Sequence, residues 1–198
     1  MNGQHYLLLI LWILYALLHS LLAATPVKRF MQQIMGGKYR YYRFGYSCFA
    51  LAGLIGVLYV HFALNSPLLW QAPFLQRVIA VLTGIAGVTI MLICARVYFA
   101  EMMGLYAFSR QPENIGLVQT GLHKYIRHPL YTGTLLLFWA FFIYQPLLKN
   151  LLTCTVNTLY VFIGIQLEER KLIRAFGDAY RRYAASTPML FPKLSSKA

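Results

Sequence analysis

The stretch that decides the fold is GLHKYIRHPLYTGTLLLFWAFFIYQPLLKNLLTCTVNTLYVFIGIQLEERKLIRAFGDAYRRYAASTPMLFP, Gly121 to Pro192. Two apolar runs meet at Gln145-Pro146, with Arg127-His128-Pro129-Leu130-Tyr131 ahead of the first and Glu168-Glu169 behind the second. If both runs are helices, so short a joint makes them an antiparallel hairpin. The entry of the first helix then lies beside the exit of the second. Arg127, His128 and Tyr131 are thereby expected near Glu168 and Glu169 at one face of a membrane.

Composition supports the membrane reading. The chain is 59% hydrophobic and 12% charged, where a soluble domain carries about 25% charged residues. The apolar surplus comes in long runs, as in a polytopic membrane protein. The formal net charge of +13 points to basic cytoplasmic loops facing anionic lipid rather than to nucleic acid. Cys48, Cys94 and Cys154 all fall in apolar runs. Their spacing fits no zinc pattern, so no metal site is expected. The first apolar run lacks a basic region ahead of it and is long enough to span, so it reads as a helix rather than a cleaved signal.

Five spans follow in order: Tyr6–Ala24, Phe44–Leu64, Val78–Phe99, the short Pro129–Tyr144, and Leu147–Leu167. Thr25-Pro26 ends the first, and Asn65, Ser66 and Pro67 close the second. Ala80, Gly84 and Gly87 offer small side chains for close helix contact. In the long connection to His123, turns are expected at Pro112, Asn114, Gly116 and Thr120-Gly121. Met102, Met103, Leu105, Tyr106 and Phe108 are too apolar for a free loop and should fold against the membrane face. Pro129 suits the first turn of a helix, where its missing N–H has no partner anyway. After the fifth span, Glu168–Tyr183 reads as an interfacial helix, with Leu172, Phe176, Tyr180 and Tyr183 as its apolar stripe. Gly177 is a possible break in it. The expected fold is thus all-α: a polytopic membrane helix bundle of about five transmembrane helices plus a cytosolic interfacial C-terminal helix. It forms one domain over residues 1–198, with residues 1–100 as a three-span scaffold and 101–198 as a cofactor-binding hairpin and tail.

Five spans also sort the charges. Sixteen of the 18 Lys and Arg residues fall on one side, leaving Arg77 and Lys149 on the other. By the positive-inside pattern the amino terminus faces out and the carboxyl terminus faces the cytoplasm. Bacterial inner membrane is the expected location.

Chemistry is sought among scarce groups. Three of the five acidic residues, Glu168, Glu169 and Asp178, lie within eleven positions. A carboxylate at a membrane boundary needs water, a cation or a donor to offset desolvation. Two readings stand: a salt bridge to Arg127, Arg170 or Lys171, or a pocket in which carboxylate, His128 and Tyr131 bind something polar and cationic. Glu168, first after the span, is the better pocket candidate. His128 could equally cap the helix that Pro129 starts. His61 and His123 read as structural; His19, near the cytoplasmic end of the first span, is a secondary candidate. No dinucleotide loop, phosphate loop, nucleophile elbow or zinc helix is present.

Gly121-x5-Arg127-His128-Pro129-x-Tyr131-x-Gly133 and Glu168-Glu169-x2-Leu172-x3-Phe176-Gly177-x2-Tyr180-x2-Tyr183 together resemble the isoprenylcysteine carboxyl methyltransferase family. The likeness covers about residues 115–192. It implies an integral membrane enzyme that uses S-adenosylmethionine, bound at the cytosolic end of the hairpin beneath the C-terminal segment. The residues it implies for cofactor binding are His128, Tyr131 and Glu168, with Glu169 next and Arg127 beside them. Carboxylates suit the ammonium or hydroxyls of such a cofactor, and His or Arg its carboxylate. Leu17-His19-Ser20, Phe138-Trp139 and Gly164-x-Gln166-Leu167-Glu168-Glu169 look like the methanethiol S-methyltransferase branch. Protein-carboxyl enzymes of the family usually carry an arginine four residues before the first carboxylate, where this chain has Gly164. The thiol branch usually has a longer connection before Gly121. The expected acceptor is therefore small or lipophilic, a thiol or a prenylcysteine-like carboxylate. The alternative is a non-catalytic assembly or carrier subunit that keeps the scaffold. A transporter is disfavoured by the scarcity of mid-membrane charge.

Overall fold

The structure, a computed structural model, describes residues 3–108 and 116–192. The turns expected at Pro112 and Asn114 lie outside the described residues, as do the side chains of Met102 and Tyr106. Among the described residues the fold is helical: α1 Gly3–Ala23, α2 Thr25–Met35, α3 Tyr42–Ala63, α4 Phe74–Met103, α5 Pro129–Tyr144, α6 Leu148–Phe176 and α7 Asp178–Ser186. Short 3-10 turns cover Gly36–Tyr41, Leu105–Phe108 and Gly121–Lys124.

Helices α1, α3, α4 and α6 are long and apolar enough to cross a membrane. At ~1.5 Å per residue, α1 measures about 31 Å, matching a hydrocarbon core of about 30 Å. Helix α5 has 16 residues and reaches only about 24 Å. Leu7, Ile10, Leu14 and Leu17 point outward from α1, and Leu82, Ile85 and Leu92 from α4, all exposed. Such an apolar exterior is stable only where the solvent is lipid.

Inside, Leu8, Trp12 and Val57 pack with Phe138 and Val156, joining α1, α3, α5 and α6. A second cluster of Leu135, Val161, Ile165 and Leu190 ties the C-terminal segment to the hairpin. Helices α4 and α5 cross at two glycines. A Cβ added to Gly133 would stand 2.8 Å from the Gly87 carbonyl oxygen, and one on Gly87 would stand 2.8 Å from the Gly133 oxygen. The small residue noted in the third span therefore serves backbone approach.

The hairpin joint is short, as read from Gln145-Pro146. Asn150 Nδ2 donates to the Gln145 carbonyl at 2.7 Å, and Leu69 N to the Pro146 carbonyl at 2.8 Å. Sixteen residues down α5 and an equal rise along α6 bring the chain back to about Gly164–Glu168, level with His128.

Two boundaries differ from expectation and one connection meets it. The first loop is largely helical: α2 starts at Thr25 with Pro26 in its first turn. Phe108 stacks edge-on with Phe44 at 5.2 Å, so the apolar connection does fold back onto the start of α3. The C-terminal helix is not one unit from Glu168 to Tyr183. Its first nine residues continue α6 beyond the apolar run, and the chain turns at Gly177, whose φ of +52° suits glycine. Helix α7 then folds back toward the hairpin entry.

Candidate functional site

Everything at the hairpin entry is organised around one carboxylate oxygen. Glu169 Oε1 accepts from Arg127 Nε at 2.8 Å, from His128 Nε2 at 3.0 Å and from the Tyr180 hydroxyl at 3.1 Å. Arg127 Nη2 stands 2.7 Å from the same atom. The other side of the guanidinium donates through Nη1 to the carbonyls of Ala184 and Thr187, both at 2.7 Å. Arg127 N and His128 N pair with the carbonyls of Pro188 and Met189, and Thr132 Oγ1 donates to the Leu190 carbonyl at 2.7 Å. The tail is thus stitched along the start of α5, and Arg127 is the clamp that holds it. Tyr180 is 1% exposed. Burial first, then the Glu169 carboxylate, pushes its phenol well above the ordinary value, so it stays a donor.

The two carboxylates divide the two readings made from the sequence. Glu169 makes the salt bridge with Arg127. Glu168, with its side chain 45% exposed, faces a cavity of about 360 Å³. His128, Tyr131, Leu172, Phe176 and Tyr180 share that cavity's wall, whose size lies in the range of small-molecule sites. His128 is buried at 5% exposure. Its Nε2–H donates to Glu169, and its Nδ1 stands 3.8 Å from Glu168 Oε2. Nδ1 and the Glu168 carboxylate thus stand side by side on the cavity wall. Arg127 also lines the cavity, but its guanidinium faces Glu169 and the tail carbonyls.

His123 supports the floor. Its Nδ1 donates to the Arg127 carbonyl at 3.0 Å, its Nε2 pairs with the Tyr98 hydroxyl at 2.9 Å, and its own carbonyl accepts from Tyr183 at 2.6 Å. Burial holds its imidazole below the ordinary value, against the opposing bond to Arg127. The neutral tautomer satisfies both ring nitrogens.

A family model described as "Protein of unknown function (DUF1295)" matches residues 28–187. The chain belongs to that family. Among curated proteins, it is similar to methanethiol S-methyltransferase 1 of Bradyrhizobium diazoefficiens, 47% identical over 73 residues. That match covers 36% of this chain and 24% of the relative. A methanethiol S-methyltransferase of Pseudomonas deceptionensis is 41% identical over 37% of this chain and 27% of its own length. One from Mycobacterium tuberculosis is 36% identical over 39% of this chain and 31% of its own length. The matched stretches therefore span between about a quarter and a third of these relatives. No solved structure matches.

Thr132 and Thr187 escape a reading of the sequence, His123 has the structural role read for it, and Tyr180 is noted only within a stripe and a motif. Tyr180 lies in the stripe read as membrane-facing, with Leu172 and Phe176. The turn at Gly177 puts all three around the site instead. Its spacing of eleven residues from Glu169 signals nothing unless α7 is known to fold back. His19, the secondary candidate, lies apart from the Glu169 cluster, bonded to Tyr46 and Tyr160.

Proposed function

We propose that this chain is an integral membrane methyltransferase that uses S-adenosylmethionine and acts on a small or lipophilic acceptor. The observation that carries the reading is the shared cavity of His128, Tyr131 and Glu168, closed by a tail that Arg127 and Glu169 clamp. The donor set fits the cofactor's chemistry. The Glu168 carboxylate suits an ammonium or ribose hydroxyls, His128 offers a polar ring beside it, and Leu117, Val118, Leu172 and Phe176 supply an apolar wall for a base. The cofactor brings an activated methyl on a sulfonium. The protein's part is to hold that group, exclude water with the folded-back tail, and align the incoming nucleophile.

The names of the related proteins support a thiol acceptor such as methanethiol. Gly164 adds to this. The position that carries an arginine in the carboxyl-methylating enzymes has no side chain here, and a Cβ there would lie 3.6 Å from the Tyr131 hydroxyl. In our reading the cavity opens to the cytoplasm, because the basic loops and tail lie at the same end of the bundle, and the membrane is a bacterial inner membrane.

Calorimetry in detergent tests the proposal. The protein should bind S-adenosylmethionine, and Glu168→Ala should weaken binding at least tenfold while the fold survives. Unaltered protein that shows no binding heat, together with no labelled-methyl transfer to any thiol, would leave the proposal without support.

A further inference from the structure

A second polar cluster lies deeper in the bundle than the cavity, where α1, α3 and α6 meet. His19 on α1 holds a tyrosine at each ring nitrogen: Tyr160 of α6 at Nδ1, 2.8 Å, and Tyr46 of α3 at Nε2, 2.9 Å. The directions of these bonds can be worked out. Ser20 Oγ donates to the Tyr160 hydroxyl at 3.2 Å, and Tyr46 donates to the His19 carbonyl at 3.3 Å. Tyr46 therefore accepts from Nε2–H, and the Tyr160 hydroxyl donates to an unprotonated Nδ1. The basic nitrogen of His19 thus faces Tyr160.

Tyr160 does not line the cavity itself, but it shares a face of α6 with Glu168, which does. Tyr160, Gly164 and Glu168 follow one another at four-residue intervals on one face of α6, about 12 Å from end to end. The Tyr131 hydroxyl sits over Gly164, one turn along α6 from Tyr160. A polar track thus runs from the cavity, past a glycine, to an imidazole. His19, Tyr46 and Tyr160 are each half-buried. Such a cluster in an apolar span is costly unless it does something there.

The track's chemistry selects an acceptor. No acidic residue of the chain lies on α1 or α3, and Glu168 is two turns along α6 from Tyr160. The groups around His19 are Tyr15, Ser20, Tyr46 and Tyr160, with Tyr42 and Arg43 beyond Tyr46. Arg43 is the one cation among them and also lines the cavity, so it is the need for a base, not charge, that separates the acceptors. A carboxylate needs no base, being ionised already. A thiol does need one: its thiolate is the nucleophile, and an alkanethiol is mostly protonated at neutral pH.

We propose that the acceptor is a small thiol held beside Gly164, and that His19 takes its proton through the Tyr160 hydroxyl. This rests on the function proposed above. The acceptor sulfur gives its proton to Tyr160 as Tyr160 passes its own to His19 Nδ1. It then forms a bond to the methyl carbon, and the electron pair of the broken carbon–sulfur bond stays on the sulfur of the sulfonium donor. The products are a neutral thioether, a neutral donor sulfide and a protonated His19.

The test compares two acceptors in detergent, 1-propanethiol and thiophenol, the second largely ionised at neutral pH without help. Propanethiol methylation by His19→Gln should fall about 10²-fold or more at pH 7, the usual worth of a positioned base. Thiophenol methylation should fall less than about tenfold, and S-adenosylmethionine affinity should stay within about threefold. The acid limb of the propanethiol pH profile should move up toward the thiol's own ionisation. Tyr160→Phe keeps the ring and should show the same dependence on acceptor, which guards against a His19 variant that misfolds. Equal losses on both acceptors, or no loss on either, would overturn the assignment while leaving the methyltransferase intact. Unaltered protein that binds S-adenosylmethionine but methylates neither thiol overturns the thiol subsite. Protein that does not bind it overturns the proposed function as well.

Discussion

Removing the Glu169 carboxylate should release the tail. Glu169→Ala takes away the one oxygen on which Arg127, His128 and Tyr180 converge. Arg127 is 10% exposed in its side chain and Glu169 20%, so the orphaned guanidinium stays out of water with only the carbonyls of Ala184 and Thr187 for partners. Breaking a buried pair by deleting one member costs about 3–5 kcal/mol. The stranded Tyr180 hydroxyl adds about 1–3 kcal/mol. Because these losses share one atom they do not sum, and a net cost near 4 kcal/mol is the fair figure. The loss falls locally, on the closing of α7 and the tail over the hairpin. At ~1.4 kcal/mol per tenfold, the open form gains about 10³-fold in population. Hydrogen exchange reads this directly, because the amides of Arg127 and His128 are bonded to Pro188 and Met189. Their protection should fall by about that factor, while amides in the middle of α4 keep theirs. Glu169→Gln, which retains an acceptor but no charge, should fall between. If Glu169→Ala leaves the exchange at residues 127 and 128 within threefold of the parent, the clamp does not hold the tail and the argument is wrong.

Gly133→Ala should destabilise the bundle by about 1–3 kcal/mol, because its methyl meets the Gly87 carbonyl oxygen at 2.8 Å; an unchanged melting temperature in detergent would mean α4 and α5 are less tightly crossed. His123 carries a pH effect. Its folded-state value lies below the unfolded one, so its contribution is full above about pH 6.5 and declines as pH falls toward the folded value. Protection of residues 121–127 should weaken on acidification, and His123→Gln should flatten that slope. Orientation is checked by cysteine labelling in intact bacterial cells. An impermeant maleimide should reach Gln71→Cys from outside and Lys38→Cys only after lysis, and the reverse pattern would invert the topology.

The sequence by itself determined the class of molecule, the membrane helices and the hairpin. Those follow from composition, run length and the short Gln145-Pro146 joint, all of which act locally along the chain. It also brought His128, Tyr131, Glu168 and Glu169 to one end, because an antiparallel hairpin returns each helix to its starting level. Helix rise is fixed, so level can be counted from sequence. Which carboxylate clamps and which faces the cavity could not be counted. Glu168 and Glu169 differ by one residue, about 100° around the axis, and what each meets depends on how α6 is rotated against α5. That rotation is set by packing at Leu135, Val161 and Ile165, and the partners arrive only when Gly177 turns α7 back. Burial of Tyr180, the double grip of Arg127 and the pairing of His19 with tyrosines on two other helices are likewise tertiary facts. They arise between segments far apart in the chain, where no spacing rule reaches.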